Sequence, residues 1–152
     1  MTHIITLTER AQATAKGFKK YPEHQQLVYG VESVVEAELP SPTVDLNGAR
    51  SFISDLCLDL EVDVPSVERR KIDGRFVACA SYRHYEITFR ASTVSTLTLC
   101  HELSHLLVSQ HAGHHKEWRN KFVDIARQAV SFEHGALLYN LYNRCGLSTA
   151  WK

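Results

Sequence analysis

Along this chain the hydrophobic positions repeat first with a helical period, then with the period of strands, then with a helical period again. Residues 1 to about 20 are polar, carry Lys16, Lys19 and Lys20 and break at Gly17, which predicts a loose or short helical lead-in. From Pro22, Leu27, Val31, Val34 and Val35 recur at helical spacing, while Glu32, Glu36 and Glu38 face away. Leu39-Pro40-Ser41-Pro42 stops this helix, because proline lacks the amide hydrogen and restricts the residue before it. A second helix is expected from near Asp45 to Leu60, with Ala49, Phe52, Ile53, Leu56 and Leu60 as its buried stripe. Residues 67–72 then read as a strand, Asp73-Gly74 as a hairpin turn and residues 75–80 as the returning strand. Residues 85–89 alternate apolar with polar and predict a third strand.

Helical spacing resumes over about residues 95–109. Ser92, Thr93 and Ser95 are candidate caps there, and Leu99, Leu103, Leu106 and Leu107 cover most sides, as in a buried central helix. After a break at Gly113, an amphipathic helix over about residues 116–130 carries Trp118, Phe122, Ile125 and Ala129 in register. A last helix over about residues 133–144 is built on Leu137, Leu138, Leu141 and Tyr142 and closes at Gly146. The pattern predicts an α+β fold in which a small three-stranded sheet packs against a central helix, with additional N- and C-terminal helices. Residues 1–20 form the lead-in and residues 21–152 a single domain.

Composition narrows the function. Lys plus Arg equals Asp plus Glu at 17 each, so no overall field draws the chain to nucleic acid or to an anionic membrane. Arg69, Arg70, Lys71 and Arg75 make a local basic cluster; a solvated hairpin face accounts for it, and a docking patch for an acidic partner is the alternative. Cys57, Cys79, Cys100 and Cys145 are widely spaced with no C-x-x-C pair, which reads as small apolar residues in a reducing compartment. The first ten residues lack the basic start and apolar run of a signal peptide, and no apolar stretch has the length of a membrane span. A soluble cytoplasmic protein with no membrane partner is expected.

The chemistry is concentrated in His101-Glu102-Leu103-Ser104-His105. On an α-helix, residues four apart stand about 40° apart around the axis. His101 and His105 can thus reach one metal ion, with Glu102 beside them as a base for water. A catalytic zinc site takes a third protein ligand and keeps one position open. His111, His114, His115, Glu117 and Glu133 compete for that role. His111 stands six residues after His105, the metzincin offset, but that pattern needs a Gly where Val108 stands. A helix continuing through Val108 would carry His111 about 9 Å along the axis to another face. The one methionine is Met1, so no Met-turn is present either.

The segment from His101 to Gly113, followed by His114-His115-Lys116-Glu117-Trp118, resembles the active-site stretch of SprT-like zinc metalloproteases. In that family H-E-x-x-H is followed by H-G-x-x-F/W, whose first His is the third zinc ligand. The resemblance therefore implies His101, His105 and His114 on Zn2+, with Glu102 as the catalytic base and Trp118 as an aromatic anchor. It also implies a zincin-like fold and a peptide or protein substrate, held in zincins on a sheet edge that corresponds here to residues 85–89. This chain departs from the family in a shorter connection, in His115 at the usual Gly position, where it is a rival ligand, and in having no C-terminal cysteine ribbon. The missing ribbon argues, with the neutral charge, against nucleic acid as a partner. From about residue 22 the chain is also loosely similar to small actinobacterial and phage metallohydrolases, through Val28-Tyr29-Gly30-Val31-Glu32 and the helix ending at Gly146. The expected function is zinc-dependent peptide hydrolysis. The alternatives are a metal hydrolase of non-peptide amide bonds and a non-catalytic, zinc-stabilised binding or regulatory domain. Tyr82, Tyr139 and His134 are candidate oxyanion donors.

Overall fold

The computed structural model describes residues 2–72, 74 and 76–151. In chain order the elements are α1 (Thr2–Ala15), α2 (Glu23–Glu38), β1 (Thr43–Val44), α3 (Leu46–Leu60), β2 (Ser66–Arg69) and β3 (Ala78–Ser81). They continue with β4 (Glu86–Phe89), β5 (Val94–Ser95), α4 (Thr96–Leu106), α5 (Lys116–Ala129) and α6 (Phe132–Arg144). The described residues thus form an α+β fold with six helices and two small sheets. They group into two units, Met1–Pro40 with Ala112–Lys152, and Ser41–His111. No helix among them is long and apolar enough to cross a membrane.

The first unit is helical: α1 packs on α2, α5 on α6, and α6 on both α1 and α2. The lead-in expected to be loose or briefly helical is the 14-residue helix α1. Leu7, Ala11 and Ala15, four residues apart, lie along its buried face. Close approach to α2 is possible because Gly30 has no side chain; a Cβ there would stand 2.3 Å from the Ala11 carbonyl oxygen. Val28, Val31, Val34 and Val35 bury the rest of the α2 stripe, with Leu27 only half-buried. In α5, Trp118, Phe122, Val123, Ile125 and Ala126 are buried, as the amphipathic pattern requires. Ser131 caps α6 by accepting from His134 N at 3.1 Å, and Gly146 closes it at φ +80.

The second unit joins α3 and α4 to the sheets. Asp45 caps α3 by accepting from Gly48 N at 2.8 Å, and Glu61 ends it in the left-handed region at φ 56. The three-stranded sheet has the order β2-β4-β3, with β2 parallel and β3 antiparallel to β4. This corrects two expectations. The strand at residues 67–72 is shorter, ending at Arg69, and does not form a hairpin with its successor. The hairpin is instead β3–β4, closed by a turn in which Tyr85 N donates to Tyr82 O at 3.2 Å. Asp73 and Arg75, assigned to the turn and the returning strand, lie outside the described residues, although Gly74 does take a positive φ of 78.

The second correction concerns the strand expected at a sheet edge. Residues 85–89 supply β4, which is central and paired on both sides. Its place follows from its apolar side chains: Ile87 and Phe89 are fully buried, and the middle of a sheet buries a strand best. Arg70, from the basic cluster, reaches the largely buried Glu86 carboxylate at 2.5 and 3.2 Å and so ties the end of β2 to β4. Of the candidate caps before α4, Ser95 serves, accepting from Thr98 N at 3.1 Å. Leu99, Cys100 and Leu103 in α4 are fully buried, and the helix packs against β3, α3, β5 and β4. All four cysteines are free thiols.

Candidate metal centre

α4 carries the first three candidate side chains. Standing four residues apart along the helix, His101 and His105 bring their Nε2 atoms to 3.3 Å, the rings tilted by 61°. Two metal–nitrogen bonds of about 2.0–2.1 Å at a tetrahedral angle would separate their nitrogens by roughly 3.3–3.4 Å, so the pair fits one tetrahedral cation. Burial, and next the neighbouring His101, lower the His105 pKa to about 3, which keeps its ring neutral as metal ligation requires. Glu102 is buried beside them, its Oε1 3.9 Å from His101 Nε2. The Cys79 thiol on β3 feels the same carboxylate: burial and then the charge of Glu102 raise its pKa.

His114 comes from a different setting. It lies between Gly113, whose φ of +53 suits a residue without a side chain, and His115, which begins α5 with extended backbone angles. His115 N donates to Ala112 O at 2.9 Å, closing the turn. The buried His114 ring meets Trp118 edge-on at 4.7 Å and Tyr29 edge-on at 5.3 Å. Trp118 is in turn stacked on Phe122 at 5.0 Å, so the ring rests on a packed aromatic column.

His101, His105 and His114 each offer one ring nitrogen, these nitrogens all lie within 4.8 Å of one another, and the group could hold a metal ion. The competing residues stand elsewhere. His115 is exposed and stacks on His24 with ring centroids 4.1 Å apart, while Glu117 and Glu133 are exposed on their helices. His111 is exposed in the segment after α4, but the helix does not continue through Val108 as expected. α4 stops at Leu106, Leu107 N turns back to Ser104 O at 3.3 Å, and the Tyr82 hydroxyl takes the Val108 carbonyl.

That bond commits Tyr82 to holding the end of α4. His134 is committed too: its Nε2 donates to Leu39 O at 2.6 Å, and its Nδ1 lies 2.7 Å from the Ser131 hydroxyl. Tyr139 packs against Trp151 at 5.5 Å. Two residues that sequence reasoning passed over support His114. Tyr29 packs on its ring. The buried Arg119 donates to its carbonyl at 2.9 Å, an arginine standing within the apolar stripe of α5. Comparison with protein-family models, with curated proteins and with solved structures finds no match for this chain.

Proposed function

We propose that the chain is a metal-dependent hydrolase, and specifically a zinc peptidase of the SprT-like kind, with His101, His105 and His114 as ligands and Glu102 as the base. The observation that carries this reading is the gathering of three imidazole nitrogens within 4.8 Å with a buried carboxylate 3.9 Å from the first. A purely structural site has no use for a carboxylate at that position, and neutral imidazoles suit zinc. Bound zinc would polarise a carbonyl and bring the pKa of a water down toward neutrality. Glu102 would then accept a proton from the attacking water on a carboxylate oxygen and return it to the departing amine. Among the described residues β3 pairs with a strand on one side only, and it packs on α4. An extended peptide added along β3 would be recognised through main-chain hydrogen bonds and held beside Glu102.

Elemental analysis should find about one zinc per chain, lost in His105→Ala. Glu102→Gln should keep the zinc and lower cleavage of an unfolded-protein or peptide library at least about 100-fold. A pure protein without metal refutes the site. Metal-loaded wild type and Glu102→Gln that are equally inert across the library refute catalysis and leave a zinc-stabilised binding domain.

A further inference from the structure

We infer that Arg119 is a positioning residue for the metal centre, coupling the C-terminal segment at residues 147–150 to the main chain of His114. The inference rests on the reading of His114 as a ligand. Arg119 is only 6% exposed, and its guanidinium has two carbonyl partners: Nη1 donates to His114 O and Nη2 to Ser148 O, each at 2.9 Å. Its Nε, also buried, has no hydrogen-bond partner. A guanidinium between Trp118 and Phe122 on a buried face is a costly way to stabilise a helix, since apolar residues of that size there would usually stabilise it as well or better. What the fork adds is geometry: one rigid plane fixes two backbone oxygens at once, which a lysine cannot do.

The far end of that link is itself fastened. Leu147 N donates to Tyr142 O at 2.8 Å, and the Leu147 side chain is buried. Asn143 accepts from Thr149 N at 3.1 Å and donates to Thr149 O at 3.2 Å, while Asn120 accepts from Ala150 N at 2.8 Å. The Ser148 carbonyl is thereby held from both sides, and Arg119 transmits its position to the peptide of His114. With Trp118 and Tyr29 confining the ring, the imidazole is located at both ends. Groups that orient a ligand in this way commonly alter metal affinity by about 10–100-fold when removed.

The test uses the full chain loaded with cobalt(II), read by its visible ligand-field bands and by competition with a chelator. Arg119→Met and Arg119→Lys should each bind cobalt about tenfold more weakly or worse, with altered bands. Asn120→Ala/Asn143→Ala leaves Arg119 in place but frees the segment it grips; weaker cobalt binding is expected there too, and these two side chains are not buried. A purely electrostatic role predicts the opposite for Arg119→Met, because losing a buried cation should tighten the hold on another cation. A purely structural role predicts a lower thermal midpoint for the metal-free variants with cobalt affinity and bands unchanged. Either result overturns the inference while wild type still binds cobalt. A wild type that takes up no cobalt overturns this inference and the proposed function together.

Discussion

Gly30→Ala is the sharpest test of the packing of α1. At an exposed helical position this change stabilises by about 1 kcal/mol, because alanine is the better helix former. At Gly30 the new Cβ would lie 2.3 Å from Ala11 O, 2.9 Å from Ala15 N and 3.1 Å from Ala15 Cα. All three are backbone atoms of α1 or its end, so no side chain can rotate away and the helix itself must retreat. Even to reach 3.0 Å, the closest approach real Cβ atoms show, α1 must withdraw by at least 0.7 Å (3.0 minus 2.3). A gap of about 0.5–1 Å forfeits a quarter to a half of the dispersion energy across it, here along Leu7, Ala11 and Ala15. Overpacking of this kind costs about 1–3 kcal/mol, and the backbone clash places it at the upper end. Subtracting the gain in propensity leaves a net loss of about 2 kcal/mol, or roughly 4–8 °C in Tm for a chain of this size. Urea denaturation followed by circular dichroism measures it. A variant more stable than wild type by about 1 kcal/mol, with an unchanged m value, would refute the close contact and restore a loose lead-in.

The remaining predictions concern other elements. Burial raises the Cys57 thiol pKa from 9.0 to about 11, so between those values the unfolded chain binds fewer protons than the native one. That contribution to stability is complete below pH 9 and is lost as pH rises through about 11, at up to about 1.4 kcal/mol per pH unit. Cys57→Ala should flatten the alkaline decline measured by urea titrations at several pH values; an unchanged slope counts against it. Ser131→Ala removes both the cap of α6 and the hydroxyl beside His134 Nδ1, and should lower stability by about 1–2 kcal/mol. Arg70→Met, which strips the Glu86 carboxylate of its two-point partner, should cost about 1 kcal/mol in low salt and less in high salt. The exposed neighbour Lys71→Ala should stay within about 0.5 kcal/mol, and equal losses for the two would refute the distinction.

The helices whose stripes are long and rich in large apolar residues were legible in the sequence. The pattern through Trp118, Phe122 and Ile125 marks α5 to within a residue, because burial of big side chains must repeat every turn. α1 was harder to see because Ala11 and Ala15 carry little hydrophobic signal, and they are buried only because Gly30, fifteen residues beyond Ala15, leaves room. Strand propensity was visible near Val67, Ala78 and Ile87, but the choice of partner is non-local, and β2 passes over its successor to join β4. The end of α4 has no Gly or Pro to announce it; Leu107 and Val108 look helical, and the Tyr82 hydroxyl that takes the Val108 carbonyl lies 26 residues away. At the candidate centre, the helical spacing already paired His101 with His105. The gathering of His114 with them depends on a turn at Gly113, and its brace, Arg119, reads in sequence as one more surface charge.

The division of the chain also sets an order of events during synthesis. One unit is written by both ends of the chain, with residues 41–111 inserted between its halves. At about 5–20 residues per second, a ribosome takes roughly 4–14 s to add those 71 residues, so α2 leads the returning half of its unit by at least that long. Throughout that interval α1 and α2 have each other but not α6, the helix both pack against in the finished unit. The Gly30 contact is then more than tight packing: it lets two helices hold each other as a nascent hairpin until the last helices arrive. A chain stalled before residue 112 would present that hairpin with an unfilled apolar flank, a natural target for chaperones.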